Sequence, residues 1–131
     1  MSAVQAAGSP RVGIAEWFRV SLGAVLGVAA VGAISQWVEG ASGWTQLAWL
    51  VAPIGASAVI VFALPSSPLG RPWSVIGGNT LGTLAGITCA LWIGPPWLAA
   101  GMAVGGAIAL MLQARCLHPP GGAAALLAVL T

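Results

Sequence analysis

Charge is what this sequence lacks most. Lysine is absent, and only six of the 131 residues are charged: Arg11, Glu16, Arg19, Glu39, Arg71 and Arg115. A soluble domain carries about 25% charged residues. With 59% hydrophobic residues and so few charges, the chain could not cover a water-facing surface. The composition predicts one integral membrane domain over residues 1–131, with the lipid bilayer as its surroundings. The net charge of +2 is too small to indicate nucleic-acid binding.

Reactive side chains are nearly as scarce. The chain has one histidine, His118, and two cysteines. Cys89 is predicted mid-span and Cys116 on the cytoplasmic side, so we expect no disulfide framework. No nucleophile–base pair, carboxylate pair or metal cluster can be assembled from these residues. We therefore expect no enzyme activity, no metal and no cofactor. The cores of the apolar runs also lack ionisable residues, which disfavours a proton-relay pump.

Long apolar runs are what the sequence has instead. About 20 apolar residues cross the hydrocarbon core, and the runs predict spans at residues 17–37, 44–64, 73–93 and 97–115. A signal peptide is the alternative for the first run, although its length is unusual for one. Residues 123–131 are too short to span. The sequence thus predicts an all-α polytopic transmembrane helical bundle of four spans plus a short re-entrant or truncated fifth helix, of which we favour the truncated fifth span.

Tryptophan and arginine set the boundaries and the orientation. Six of the seven tryptophans fall at predicted span ends, where the indole ring prefers the headgroup level; these are Trp17, Trp37, Trp44, Trp73, Trp92 and Trp97. All four arginines fall on one side of a four-span chain. Positive residues stay on the cytoplasmic side of a membrane. We therefore predict that the protein lies in the cell inner membrane, with the N-terminus and the turn at residues 118–122 facing the cytoplasm.

Small residues recur at regular spacing in two of the predicted spans. GxxxG pairs occur at Gly23 and Gly27 and at Gly82 and Gly86. Such pairs let helix backbones approach closely in lipid. Helix packing is the favoured interpretation, and a smooth pore wall is the alternative. Four spans are few for a self-contained pathway, so we expect a homo-oligomer held by these faces.

Two further features suggest a path for a solute. Asn79 and Thr83 lie on one helical stripe with the glycines of the third span, where they either line a neutral path or hydrogen-bond between helices. Pro53 and Gly55 predict a backbone break in the second span. The segment after Pro53 resembles the segment after Pro120, which hints at an internal duplication and at two equivalent breaks.

The segment "RCLHPPGGAAALLAVLT" carries the strongest local signal. Pro119 and Pro120 must end the fourth helix, and Gly121 and Gly122 allow close approach of a backbone or ligand. The N–H groups at the start of the next helix predict an anion site. Arg115 and Arg71 would add positive charge there, and His118 could donate a hydrogen bond or sense pH. The alternative is a rigid interfacial turn whose histidine caps helix carbonyls.

The stretches "LHPPGGAAALLAVL" and "SSPLGRPWSVIGGN", in this order and with this span spacing, resemble the HPP family of integral membrane proteins. The resemblance covers residues 50–131 best. It implies a small helical membrane protein, and some members are linked to nitrite transport. The chain carries Arg71 where the family pattern has Gln and Asn79 where relatives often carry His. It also stops where members usually continue through a further span.

We therefore expect a transporter or channel for a small anion such as nitrite. The residues from His118 to Gly122 would form the inner mouth, Asn79 and Thr83 the path, and Arg71 and Arg115 an anion-concentrating pair. Pro53 and Gly55 would supply the second break. The alternative is a non-transporting scaffold or assembly protein that uses the HPP turn to dock a partner.

Overall fold

Helices account for all the regular structure in the parts of the chain that the computed structural model describes, residues 13–42 and 51–131. The α-helices are α1 (Ile14–Ser42), α2 (Val51–Ala58), α3 (Pro72–Trp92), α4 (Pro96–Gln113) and α5 (Pro119–Leu130). A π-helical segment, Val59–Ala63, continues α2, and a 3-10 turn, Pro68–Gly70, precedes α3. The predicted all-α architecture is confirmed. Arg11, Trp44 and Trp49 lie outside the described residues.

Within residues 13–42 and 51–131, three helices, α1, α3 and α4, are long and apolar enough to cross a membrane. The bounds of α3 and α4 agree with the predicted spans 73–93 and 97–115 to within two residues. Each begins with a proline, whose missing N–H costs nothing in a first helical turn. The predicted short fifth helix is also confirmed: α5 has 12 residues and reaches about 18 Å at 1.5 Å per residue.

The second predicted span, residues 44–64, is described only from Val51 onward. The predicted backbone break at Pro53 and Gly55 is wrong, because α2 runs through both residues as regular helix. Both residues lie within the described part of α2. The departure from α-helical geometry comes one turn later, where the backbone widens into the π-helical segment.

α1 packs against α2 and the π-helical segment, and one aromatic ring of that segment fills the first GxxxG pair. Phe62 lies against Gly23 and Gly27, so close that a Cβ on Gly23 would lie 2.8 Å from the ring. The first GxxxG pair therefore packs against a side chain of the same chain. Apart from this side, α1 is open, and none of its residues is buried.

The core lies among α3, α4 and α5 and is built from very small residues. Gly78, Gly82 and Gly86 follow one stripe of α3 and face α5. A Cβ on Gly82 would overlap the carbonyl group of Gly121, and one on Gly86 would overlap that of Ala125. From α4, the buried side chains facing this contact are Ala99, Ala103, Ala107 and Met111. The helix-packing interpretation of the second GxxxG pair is supported, and neither pair is left open for a second copy.

This packing predicts that replacing a glycine on the α3–α5 contact is far more destabilising than replacing a glycine that faces open space. We expect Gly82→Ala to lower the free energy of unfolding by about 3 kcal/mol or more, because the backbone of α5 has no room to yield. Gly105→Ala is the matched control, since nothing lies within 4 Å of a Cβ at Gly105. It should be neutral or stabilising by about 0.5–1 kcal/mol. Unfolding in detergent micelles measures both, and equal stability of the two variants would contradict the packing described here.

Candidate functional site

The end of α4 forms a hydrogen-bonded cap that turns the chain toward α5. The Cys116 N–H donates to the Met111 carbonyl at 2.9 Å, and the Arg115 N–H donates to the Leu112 carbonyl at 3.3 Å. These are the two bonds of a Schellman motif. Arg115 occupies its left-handed position, with φ of 53°. Glycine is the usual residue there, since a side chain in this conformation costs about 1 kcal/mol.

The loop before α3 is held by its own serines. The Leu69 N–H donates to Ser67 Oγ at 3.2 Å, and Ser74 Oγ, from the first turn of α3, donates to the Pro68 carbonyl at 2.9 Å. Trp73 Nε1 donates to the Ala114 carbonyl at 3.1 Å. This last bond joins the start of α3 to the end of α4, so the loop and the cap lie side by side at one end of the bundle.

His118 connects three segments at that end. Its ring is fully buried, with Nε2 2.8 Å from Ser57 Oγ in α2 and Nδ1 2.9 Å from the Leu69 carbonyl oxygen. A carbonyl can only accept, so Nδ1 carries the proton and donates it. In the neutral ring Nε2 then accepts from the Ser57 hydroxyl. Both nitrogens are used, and the imidazole takes part in the structure of the turn itself.

Two glycines of α3 make room for this arrangement. A Cβ on Gly77 would lie 3.1 Å from the Cys116 side chain, and one on Gly78 would lie 2.5 Å from His118 Cβ. The Cys116 side chain and the His118 Cβ are therefore packed directly on the α3 backbone. This close approach explains how residues that follow a membrane helix come to be fully buried.

The predicted anion site at the start of α5 is wrong. Pro119 and Pro120 have no N–H, and the Gly121 N–H donates to the His118 carbonyl at 2.9 Å. Gly121 is itself covered by the backbone carbonyl of Gly78. The first turn of α5 therefore serves packing and offers no free donors from these three residues.

The predicted arginine pair does meet. Arg71 and Arg115 line one cleft of about 410 Å³ between the loop and the α4 cap. Neither guanidinium forms an ion pair with a residue in the described ranges, in contrast to Arg19, whose Nε lies 2.8 Å from Glu16. The cleft is lined by Pro68, Leu69, Arg71, Trp73, Ser74, Met111, Leu112, Arg115 and Leu117, none of which is acidic. His118 lies behind the wall made by Leu69.

The remaining predicted site residues lie elsewhere. Asn79 and Thr83 line a separate shallow groove of about 350 Å³ on α3, where Asn79 Nδ2 donates to the Val75 carbonyl of its own helix. Pro119 and Gly122 line an apolar groove between α4 and α5. Pro53 is buried in α2, and nothing lies within 4 Å of a Cβ at Gly55. The structure thus divides the predicted single site into several places.

Sequence reasoning missed the partners of His118. Ser57 is visible in the sequence only as one neutral polar residue among several, and Leu69 contributes a backbone carbonyl, which no side-chain pattern reveals. The doublet Gly77-Gly78 was the available signal. Gly78 extends the GxxxG spacing of Gly82 and Gly86 by one turn, and the adjacent Gly77 indicates a further close approach to α3.

The buried histidine bonds predict a measurable coupling. Ser57→Ala should destabilise the fold by about 1–3 kcal/mol, because it leaves Nε2 buried without a partner. His118→Ala should cost more, since it also leaves a cavity and an unpaired carbonyl. The double variant should cost less than the sum by about 1 kcal/mol in a double-mutant cycle.

Thr88→Val is the control for loss of a hydroxyl, because Thr88 is exposed and bonds only within α3. It should change stability by less than about 0.5 kcal/mol. Strict additivity of Ser57→Ala and His118→Ala would show that the two side chains do not interact.

Comparisons with known proteins identify a family of transmembrane proteins. The family model described as "HPP, transmembrane region" matches residues 9–131. Two transmembrane proteins of Dictyostelium discoideum are similar, one 40% identical over 89 residues and one 33% identical over 87 residues, covering 65% and 63% of this chain. The chain spans 31% and 28% of their lengths. No solved structure gives a significant match. With the family model covering nearly its whole length, the chain is a multi-pass membrane protein that belongs to the HPP transmembrane region family.

Proposed function

We propose that the protein forms a transporter or channel for a small anion such as nitrite in the cell inner membrane, with the N-terminus and the HPP turn on the cytoplasmic side. The observation that carries the proposal is the meeting of Arg71 and Arg115 in one cleft without an acidic lining residue. Two guanidinium groups at a membrane surface concentrate anions, and their planar donors suit oxyanions.

The backbone at Arg115 adds a second argument. Its left-handed conformation favours glycine, yet the sequence carries a long cationic residue there. A strained residue held by surrounding structure is a reason to look for function at that residue. The strain is accounted for if the guanidinium is needed in the cleft.

A homo-oligomer completes the proposed path. The groove containing Asn79 and Thr83 lies on the outside of α3 and needs a second wall before it can conduct a solute. A second copy would supply that wall through surfaces other than the two GxxxG pairs, which are occupied within the chain. The groove's polar groups are neutral, which suits passive conduction better than a proton relay.

The scaffold alternative receives less support. A docking turn must offer side chains to a partner, but His118, Pro120 and Gly121 are buried by the fold. Leu117 and Pro119 are the exposed residues of the turn. Most of the HPP turn therefore packs within the protein and is not offered to a partner.

Reconstituted liposomes test the proposal without disturbing the buried histidine. Purified protein should admit nitrite faster than empty vesicles, with nitrate, formate and chloride as comparators. Arg115→Gly should lower nitrite entry about fivefold while keeping or raising stability, because it removes about 1 kcal/mol of attraction and relieves the backbone strain. Arg71→Gln should lower entry by a similar factor.

Arg19→Gln is the matched control. It also removes one arginine, but Arg19 is exposed on α1 and paired with Glu16. Unchanged entry in the Arg19 variant with reduced entry in both cleft variants would support the cleft as the anion entrance. Absence of flux for every anion, in folded and oligomeric protein, would overturn the proposal and favour the scaffold.

A further inference from the structure

An apolar groove adjoins the arginine cleft. It has a volume of about 480 Å³ and lies between α4 and α5. Val104 and Ile108 form one wall, and Pro119, Gly122 and Leu126 form the other.

The groove and the cleft share two lining residues, Met111 and Leu117. A cationic cleft at the end of the bundle is thus continued along the helices by a mainly apolar surface. The two cavities together have the polarity pattern of an amphiphile rather than of a small ion.

The length of the groove fits the upper part of an acyl chain. Its α5 wall runs from Pro119 to Leu126, eight residues whose Cα atoms span a rise of about 10 Å of helix. One leaflet of the hydrocarbon core is about 15 Å thick. A chain lying in the groove would therefore follow α5 from the membrane surface toward the bilayer midplane, as lipid chains do.

The headgroup chemistry is set by the two arginines. A guanidinium binds phosphate through two parallel N–H donors. Basic pockets at the membrane surface between helices select anionic headgroups. A zwitterionic headgroup brings its own ammonium group toward the same two cations, and the cleft has no acidic lining residue to receive it.

We infer that the cleft and the groove together bind one anionic phospholipid, with its phosphate between Arg71 and Arg115 and one acyl chain between α4 and α5. The inference goes beyond the proposed function, and it adds regulation to it. The lipid phosphate and a small anion would use the same guanidinium groups, so bound lipid would slow anion entry.

Spin-labelled lipids test the inference in vesicles that contain the full chain. The probes are phosphatidylglycerol and phosphatidylcholine with the same labelled chain. We expect an immobilised spectral component about fivefold more populated for phosphatidylglycerol than for phosphatidylcholine. Arg71→Gln and Arg115→Gly should each remove most of this preference.

The groove is tested separately. Gly122→Leu should fill it and lower the immobilised fraction of phosphatidylglycerol severalfold, because a Cβ at Gly122 meets only Val104 Cγ1, at 4.0 Å. Gly106→Leu is the matched control on α4, where nothing lies within 4 Å of a Cβ, and it should have no effect. Leu126→Asn provides a second groove variant should Gly122→Leu fail to fold.

Glycerol phosphate distinguishes a lipid from a free phosphate. It should displace labelled phosphatidylglycerol only weakly, since it lacks the chain. Equal immobilisation of the two lipids, or full displacement by glycerol phosphate with no effect of the groove variants, would overturn the inference. Lipid selectivity without anion flux would support the lipid site and overturn the proposed function. Anion flux without lipid selectivity would support the proposed function and overturn the lipid site.

Discussion

The contact between the backbones of α3 and α5 is the constraint on which the rest of the structure depends. Gly78 and Gly82 bring the α3 backbone against the start of α5 with no side chain between them. Lipid offers no hydrophobic driving force for helix association, so close packing and interhelical hydrogen bonds must supply it. Because α5 is drawn onto α3 at this point, the residues just before it are drawn inward as well. The burial of Cys116 and His118 follows from the position of α5.

The buried histidine connects the packing of the bundle to the position of the arginine cleft. His118 bonds the Leu69 carbonyl of the loop that leads to Arg71, and the α4 cap that precedes it presents Arg115. Both arginines are therefore held by elements whose geometry the α3–α5 contact sets. A rigid turn and an anion-binding entrance were alternative interpretations of the HPP segment. In the structure the turn itself does not line the cleft: His118 bonds the Leu69 carbonyl behind the cleft wall, and the charged groups are those of Arg71 and Arg115.

Much of this could be predicted from the sequence, because membrane spans and proline-ended helices are local features. The length of the apolar runs and the prolines that end them predict the spans of α3 and α4 and the short fifth helix. The four-span topology predicts that the arginines lie on the same side. The partners of His118 could not be predicted in the same way, since Ser57 is 61 residues distant and Leu69 acts through its backbone. The break expected at Pro53 did not form: the described part of α2 runs through Pro53 and Gly55 as regular helix. The anion site expected at α5 failed because packing against Gly78 has covered it.

The most direct test of this account is the protonation pattern of the single histidine, read from ¹⁵N chemical shifts in solid-state NMR of the protein in bilayers. With one histidine in the chain, no residue assignment is needed. A buried ring that fixes the turn should carry a proton on Nδ1, show an Nε2 signal that shifts in Ser57→Ala, and exchange slowly with solvent. A ring protonated on Nε2 alone, or one that exchanges freely with water, would contradict a buried histidine that fixes the turn.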